Sequence, residues 1–142
     1  MRISDLLRRK GNLVVTVKPE QSVTELLALL AEHKVGALVV STDGRTVAGI
    51  VSERDVVRRL HEFGPDLLQN PVRKIMTTTV RSCPPETDLD ELMQIMTTGR
   101  FRHVPVIEDA RLVGIVSIGD VVKHRIDELQ SERDQLTAYI TG

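Results

Sequence analysis

The chain has 142 residues, 19 lysines and arginines against 20 aspartates and glutamates, and a hydrophobic fraction of 41%. This length fits one compact domain or two very small ones, and the composition excludes global disorder. A net charge of -1, with two phenylalanines, one tyrosine and no tryptophan, argues against nucleic acid held by a basic face or by base stacking. No apolar run reaches the roughly 20 residues of a membrane span. The single cysteine and four histidines give neither a disulfide nor a zinc-ligand pattern. We therefore expect a cytoplasmic protein with no metal and no membrane partner.

The first third of the chain predicts a helix between extended segments. A short amphipathic stretch at the N-terminus leads to an extended segment from Leu13 to Val17. After Pro19, Ser22 is a predicted helix N-cap with Glu25 three residues later. Apolar residues at helical spacing follow: Val23, Leu26, Leu27 and Leu30.

Two strands and a second helix are predicted next. Ala37 to Val40 is a short apolar run rich in β-branched residues, and Thr42 to Arg45 contains an Asp-Gly pair that favours a hairpin turn. A second strand is predicted from Val47 to Val51. Ser52 then serves as the N-cap of the next helix.

The chain contains an internal repeat. Residues 49–57 recur as residues 114–122 with seven of nine positions identical, and upstream segments match at an offset of 66. The second copy predicts an extended lead-in at Val80 to Cys83, a helix opening at Thr87 or Asp88, and a helix N-cap at Ser117. Its two strands are predicted at Val104 to Ile107 and at Leu112 to Val116. The residues before each copy also correspond, since 3–7 and 72–76 share one pattern. The domain boundaries that follow are 1–68, 69–124 and a helical extension over 125–142.

The repeat predicts an α+β fold. Each copy reads strand, helix, strand, strand, helix, and one such unit cannot cover both faces of its own sheet. Two copies packed against each other can, which gives a pseudo-twofold arrangement.

The tail beyond Asp120 predicts one long helix with an apolar stripe. The stripe has heptad-like spacing with a gap at Arg133, and its members are Val122, Ile126, Leu129, Leu136 and Ile140. Two interpretations stay open: the helix folds back over its own module, or its stripe packs against another subunit.

The repeated residues carry a family resemblance. A strand that ends in Gly-apolar-apolar-Ser with Asp three residues after the serine, as at Ser52-Asp55 and Ser117-Asp120, resembles the CBS domain family. The strand before the second of these motifs begins His103-Val104-Pro105-Val106, which also resembles that family. Two such units in tandem resemble a Bateman module of the small stand-alone bacterial type. The resemblance implies the fold given above and an adenine nucleotide, such as AMP, ADP, ATP, NAD or S-adenosylmethionine, bound in clefts between the repeats.

The resemblance also implies two sets of binding residues, each combining one Ser-x-x-Asp motif with the other repeat. One set joins Ser52 and Asp55 to Ser82, Cys83, Arg102 and His103. The other joins Ser117, Asp120 and Ile115 to Thr16, Val17, Val35, Gly36 and Ala37. In each, the aspartate would hold a ribose and the serine a ribose or phosphate oxygen. Arg54, Arg58 and Lys123 are further candidates for phosphate contacts.

Each of these residues also has a structural interpretation. Asp55 and Asp120 would stabilise their helix N-termini by about 0.3–1 kcal/mol each without any ligand. Gly36 would end the first helix, and Arg102 and His103 would lie on a solvated edge. Cys83, which precedes two prolines and has no resolving partner, is interpreted as a nucleotide-lining or inert buried thiol.

We expect a regulatory binding module and not an enzyme. No set of nucleophile, base and orienting group emerges, and neither a phosphate-binding glycine-lysine loop nor a dinucleotide glycine motif is present in the sequence. The adenine nucleotide is therefore expected as a regulatory ligand, not as a catalytic cofactor. The alternative is an interaction module without ligand that uses its dimer surface and C-terminal helix. A homodimer is expected, with a protein target left unidentified.

Overall fold

The structure is a computed structural model that describes residues 1–11 and 14–141. Its helices are α1 (Ile3–Lys10), α2 (Val23–His33), α3 (Glu53–Phe63), α4 (Leu89–Gly99) and α5 (Ile118–Thr141). Its strands are β1 (Thr16–Val17), β2 (Ala37–Val40), β3 (Gly49–Ser52), β4 (His103–Glu108) and β5 (Arg111–Ser117). Two 3-10 helices, Gly64–Gln69 and Val72–Lys74, connect the repeats. Leu13, predicted to open the first extended segment, and Gly142 lie outside the described residues.

Each repeat builds one small sheet. In the first, β1 pairs parallel with β2, and β2 pairs antiparallel with β3. In the second, β4 and β5 form an antiparallel pair, and the expected first strand is reduced to a single parallel bridge from Cys83 to Val106. The α+β class and the two-repeat order predicted from the sequence are confirmed. The second copy departs from that order only in this shortened first strand.

The connection between β2 and β3 is longer than the predicted hairpin turn. The strand predicted to begin at Val47 begins at Gly49, because Asp43 holds the chain before it in a turn of its own. The Asp43 carboxylate accepts hydrogen bonds from the backbone N–H groups of Arg45 and Thr46 and from the hydroxyls of Ser41 and Thr46. These bonds, with the backbone N–H of Thr46 first, hold the pKa of Asp43 far below its usual range. An aspartate that binds successive backbone N–H groups fixes the loop and delays the strand.

The two segments that precede the repeats, residues 3–10 and 72–76, are called the lead-in segments, and they are exchanged between the repeats. Ile3, Leu6 and Leu7 of α1 pack in the core of the second repeat, and Val72 and Ile75 pack in the core of the first. Equivalent backbone hydrogen bonds hold both segments. In one, the N–H of Ile3 donates to Thr87 at 2.9 Å; in the other, the N–H of Val72 donates to Gln21 at 2.8 Å. The two repeats are therefore related by a pseudo-twofold axis, and the lead-in segment of each repeat packs in the core of the other.

Two glycines make the exchanged packing possible. A Cβ on Gly49 would lie 2.7 Å from the carbonyl oxygen of Thr77 and 3.0 Å from the sulfur of Met76. At the matching position, a Cβ on Gly114 would lie 2.6 Å from Leu7. Leu7 and Met76 also match in the two lead-ins. The glycine of β3 and the glycine of β5 therefore each leave space for an apolar side chain from the lead-in segment of the other repeat.

Helix α5 extends away from the module. Val121 in its first turn is its only buried residue among those described, and every described residue from Leu129 onward is exposed. The fold-back interpretation of the C-terminal stripe is therefore wrong for residues 129–141. Within the described ranges, no helix is both long enough and apolar enough to cross a membrane.

Candidate functional site

The site is organised around the first turns of α3 and α5. Asp55 accepts hydrogen bonds at one carboxylate oxygen from the backbone N–H of Ser52 at 2.8 Å and from its hydroxyl at 3.0 Å. The backbone N–H of Asp55 donates to the Ser52 Oγ at 3.3 Å, so the pair forms the predicted cap. Ser117 and Asp120 repeat the geometry, with bonds of 2.9 and 3.1 Å. Both aspartates are half-buried and held rigidly at a helix N-terminus, where anions are favoured.

Sheet register places the start of one strand beside each cap. Ala37 lies opposite Ser52 in the first sheet, and His103 lies opposite Ser117 in the second. One backbone bond locks each corner: the N–H of Glu53 donates to Gly36, and the N–H of Ile118 donates to Arg102. The residues before β2 and β4 are thereby brought to the seam between the repeats.

One cavity of about 510 Å³ opens at this seam beside Asp55. Both repeats contribute to its wall. From the first come Gly36, Ala37, Ile50, Ser52, Glu53, Arg54, Asp55 and Arg58, and from the second Thr77, Thr79, Val80, Arg81, Arg100, Phe101, Arg102 and His103. Its volume lies within the range of about 300–1,000 Å³ found for small-molecule sites.

The cavity is cationic although the chain as a whole is slightly acidic. Five arginines line it against two carboxylates, Glu53 and Asp55. In the part of the chain that the structure describes, none of these arginines lies within 4.0 Å of a carboxylate oxygen. A guanidinium without a carboxylate partner retains its capacity to bind phosphate oxygens in a bidentate manner.

The crevice beside Asp120 differs from the Asp55 cavity. It measures about 380 Å³ and is lined by Leu6, Arg9, Lys10, Asp120, Lys123, His124 and Asp127. The Lys10 ammonium, at the end of α1, donates to the Asp120 carboxylate at 2.7 Å and to the carbonyl oxygen of Ile115 at 2.8 Å. Burial raises the pKa of Asp120, but the bonds from Lys10 and Ser117 outweigh it and leave the pKa below its usual value. This carboxylate is therefore already paired with a cation.

His103 lines the Asp55 cavity and is also influenced by the charges of Lys10 and Asp120. Its ring approaches Gly36, whose Cβ, if present, would lie 4.0 Å from the His103 Cε1. Burial first, and the positive charge of Lys10 second, lower the pKa of His103, while Asp120 opposes this shift. The fold therefore favours the neutral imidazole relative to an ordinary histidine.

The pKa of His103 predicts a pH dependence of stability. Because this pKa is lower in the folded chain than in the unfolded chain, the unfolded chain binds more protons just below pH 6.5. The contribution of His103 to the free energy of unfolding is therefore complete above about pH 6.5 and is lost as the pH falls towards the folded pKa. Urea denaturation at pH 8.0 and 5.5 should show a smaller loss in His103→Gln than in the native chain. An equal loss in the two proteins would contradict the shift. His61→Gln, at an exposed residue that lines neither opening, is the control.

The structure brings together four residues of the first predicted set and two of the arginines proposed for phosphate contacts. The six residues that line the Asp55 cavity are Ser52, Arg54, Asp55, Arg58, Arg102 and His103. Gly36 and Ala37, which the resemblance assigned to the Asp120 crevice, line this same cavity instead. The antiparallel register is the reason, since it pairs Ala37 with Ser52 of its own repeat.

The remaining candidates lie elsewhere. Ser82 is exposed and Val35 is 37% exposed, and neither lines an opening described above. Thr16 and Val17 form β1, with Val17 in the core of the first repeat. Cys83 is in the core of the second repeat, where burial raises the pKa of its thiol to about 11. That thiol is protonated and inert at neutral pH, in accord with the buried interpretation and not with a lining role.

Several lining residues were missed by the sequence reasoning. Thr79, Val80 and Arg81 line the cavity where Ser82 and Cys83 were expected, and Cys83 instead pairs with Val106. Glu53 and Phe101 also reach the cavity. Lys123 does line the Asp120 crevice, yet the ammonium that binds Asp120 belongs to Lys10. Glu53 follows the predicted cap residue Ser52 directly, and this position could have indicated that it reaches the cavity. The contact between Lys10 and Asp120 joins residues 110 positions apart, and no sequence pattern indicates it.

The sequence profile of the CBS domain matches residues 3–62 and 72–127. The chain belongs to the CBS domain family. The CBS domain-containing protein CBSX3, mitochondrial, of Arabidopsis thaliana is 37% identical over 99% of this chain and 72% of its own length. Both CBS repeats of the present chain therefore have counterparts in a longer relative.

Solved CBS structures share the fold. The CBS-domain containing protein ATU1752 from Agrobacterium tumefaciens superposes with a TM-score of 0.84 and 51% identity, over 88% of this chain and 99% of that one. CBSX2 in complex with AMP superposes with a TM-score of 0.72 and 29% identity, over 89% of this chain and 96% of that one. The complex with AMP is a property of CBSX2.

Proposed function

We propose that this CBS pair is a regulatory module, not an enzyme, that binds an adenine nucleotide in the Asp55 cavity. The observation that carries the proposal is the combination, in one cavity of about 510 Å³, of a capping carboxylate with five arginines that have no carboxylate within 4.0 Å among the described residues. The free oxygen of Asp55 accepts ribose hydroxyls, and the arginines bind the phosphates. The complex of CBSX2 with AMP supports the ligand class.

The positive charge of the cavity predicts the relative affinities of the candidate ligands. Each additional phosphate brings oxygens within reach of guanidinium groups whose hydrogen bonds are charge-assisted. We therefore expect ATP to bind more tightly than ADP, and ADP more tightly than AMP. S-adenosylmethionine carries a sulfonium cation in place of phosphates, so it should bind weakly here.

The ligand connects the two repeats. Asp55 belongs to the first repeat, while Arg102 and His103 belong to the second, so a bound nucleotide contacts both. A signal follows only if the nucleotide binds one arrangement of the repeats more tightly than another. The adenine nucleotide is in this role a regulatory ligand and takes part in no reaction.

The test is a thermal-shift and calorimetry series with AMP, ADP, ATP, NAD and S-adenosylmethionine. At a concentration 100 times the dissociation constant, a ligand should stabilise the fold by about 2.7 kcal/mol. Asp55→Asn should abolish the shift, because an amide cannot accept two hydroxyl hydrogen bonds with the strength of a carboxylate. Asp120→Asn is the matched control at the equivalent cap and should retain it. A shift that survives in Asp55→Asn would contradict the site.

The second candidate is a ligand-free interaction module. The apolar stripe of α5 favours it, since Leu129, Leu136 and Ile140 are each more than half exposed. This function would be supported if none of the five compounds shifted the unfolding temperature. The homodimer and the cytoplasmic location expected from the sequence stay predictions, and light scattering at micromolar concentration tests the dimer.

A further inference from the structure

The two caps are equivalent in sequence, yet only one carries an internal cation. Lys10 binds Asp120 through a contact of 2.7 Å, with the Lys10 side chain 36% exposed and the Asp120 side chain 26% exposed. At the other cap, no lysine or arginine nitrogen among the described residues lies within 4.0 Å of an Asp55 oxygen. Among the described residues, the hydrogen bonds that the Asp55 oxygens accept come from Ser52 of the same cap.

The difference arises from how far each lead-in segment stays helical. In the segment that packs against the first repeat, the helical turn ends at Lys74, and Thr77 then exchanges two backbone hydrogen bonds with Ile50 of β3. In the second repeat, the matching residue is Ile115. The segment that packs against the second repeat stays helical as far as Lys10. The Lys10 side chain, and not the Lys10 backbone, therefore donates to the Ile115 carbonyl. Lys10 consequently has two acceptors at one position.

An ammonium in this position competes with a ribose. The bonds from Lys10 to Asp120 and to Ile115 are both short, at 2.7 and 2.8 Å, and both are charge-assisted. Lys10 and the backbone N–H of Ser117 donate to the same oxygen of Asp120, Oδ2, so a ribose would have to reach the other oxygen beside the ammonium. The Lys10 charge also neutralises the carboxylate, which makes it a weaker acceptor for a hydroxyl than the Asp55 carboxylate.

We propose that Lys10 closes the Asp120 crevice to nucleotide, so that each chain binds one nucleotide, at Asp55. Lys10 is then the residue that sets the number of ligands per chain, and removal of its ammonium opens a second site of the same chemical class. This inference rests on the nucleotide-binding function proposed above. Arg9 and Lys123, which also line the crevice, remain to bind phosphates once Lys10 is removed.

The experiment is equilibrium dialysis of radiolabelled ATP at saturation against the full chain and its variants. The native chain should bind one ATP. Lys10→Met, which keeps the length of the apolar stem, should bind two, and Lys10→Met combined with Asp120→Asn should return to one. Lys10→Arg retains a cation and should stay at one. Lys123→Met, at a lysine of the same crevice that does not contact Asp120, is the control and should also stay at one.

The outcomes separate this inference from the proposed function. If the native chain binds no ATP, the proposed function fails and the closure by Lys10 fails with it. If the native chain binds two, or if a folded Lys10→Met stays at one, only the role of Lys10 is overturned. Loss of all binding in Lys10→Met would also overturn it, since Lys10 would then support the ligand. Far-ultraviolet circular dichroism and urea denaturation establish folding, and Lys10→Gln replaces Lys10→Met if the latter is unfolded.

Discussion

Replacement of Ile3 by alanine is expected to lower the free energy of unfolding by about 2–5 kcal/mol. The side chain is fully buried in the core of the second repeat, although it lies near the start of the chain and before the first repeat. The substitution leaves a cavity in a buried cluster that also contains Leu92 and Val104, both of which have no exposed surface. Urea denaturation followed by circular dichroism measures the loss. Because domains of this size have total stabilities of about 5–15 kcal/mol, the loss is a large fraction of the whole.

The location of the damage tests the exchange of lead-ins. Amide hydrogen exchange in Ile3→Ala should accelerate in β4 and β5 more than in β2 and β3. Val72→Ala, at the matching position in the other lead-in, should show the opposite pattern with a smaller loss of stability, since valine leaves a smaller cavity. Arg8→Ala, at a 76% exposed side chain of α1, should change stability by less than about 0.5 kcal/mol. Equal acceleration in both sheets would contradict the exchanged cores.

Local pattern was sufficient to predict most elements of the fold. The repeat is visible as sequence identity, and the caps at Ser52 and Ser117 and the helix after Ser22 depend on interactions between residues three or four positions apart. Such interactions are encoded in spacing alone. The start of β3 was misplaced by two residues because Asp43 forms side-chain bonds to the backbone that hydrophobic periodicity does not report.

Long-range packing decided what the sequence left out. The similarity between residues 3–7 and 72–76 was visible, but similarity does not indicate which core each segment enters. The candidate site was also predicted only in part from the sequence. Asp55 and Arg102 line one cavity as the resemblance implied, whereas Gly36 joins them because of strand register and Cys83 withdraws into the core. The pairing of Lys10 with Asp120 depends on the position of α1, which itself follows from the exchange.

Joint replacement of Arg54 and Arg102 by glutamine is expected to weaken ATP binding by a factor of about 10²–10⁴. These residues come from different repeats and reach the same cavity, and neither has a carboxylate partner there in the described ranges. A hydrogen bond to a charged group contributes about 1.5–3 kcal/mol, and every 1.4 kcal/mol changes the dissociation constant tenfold. Glutamine keeps a polar group on a shorter stem but removes the charge. Titration calorimetry with ATP, AMP and adenosine measures the effect.

The series of ligands distinguishes phosphate binding from a structural role of the arginines. Adenosine has no phosphate, so its affinity should change less than threefold in the double variant, while AMP should fall between adenosine and ATP. The dependence of ATP affinity on salt should also decrease, because fewer cations face the phosphates. Arg59→Gln is the control: this arginine of α3 pairs with Glu62 at 3.1 Å and lines neither opening, so all three affinities should stay unchanged. An equal loss for adenosine and ATP would show that the arginines shape the cavity and do not bind phosphate. An unchanged ATP affinity would place the phosphates elsewhere, away from the seam that Asp55 and His103 define.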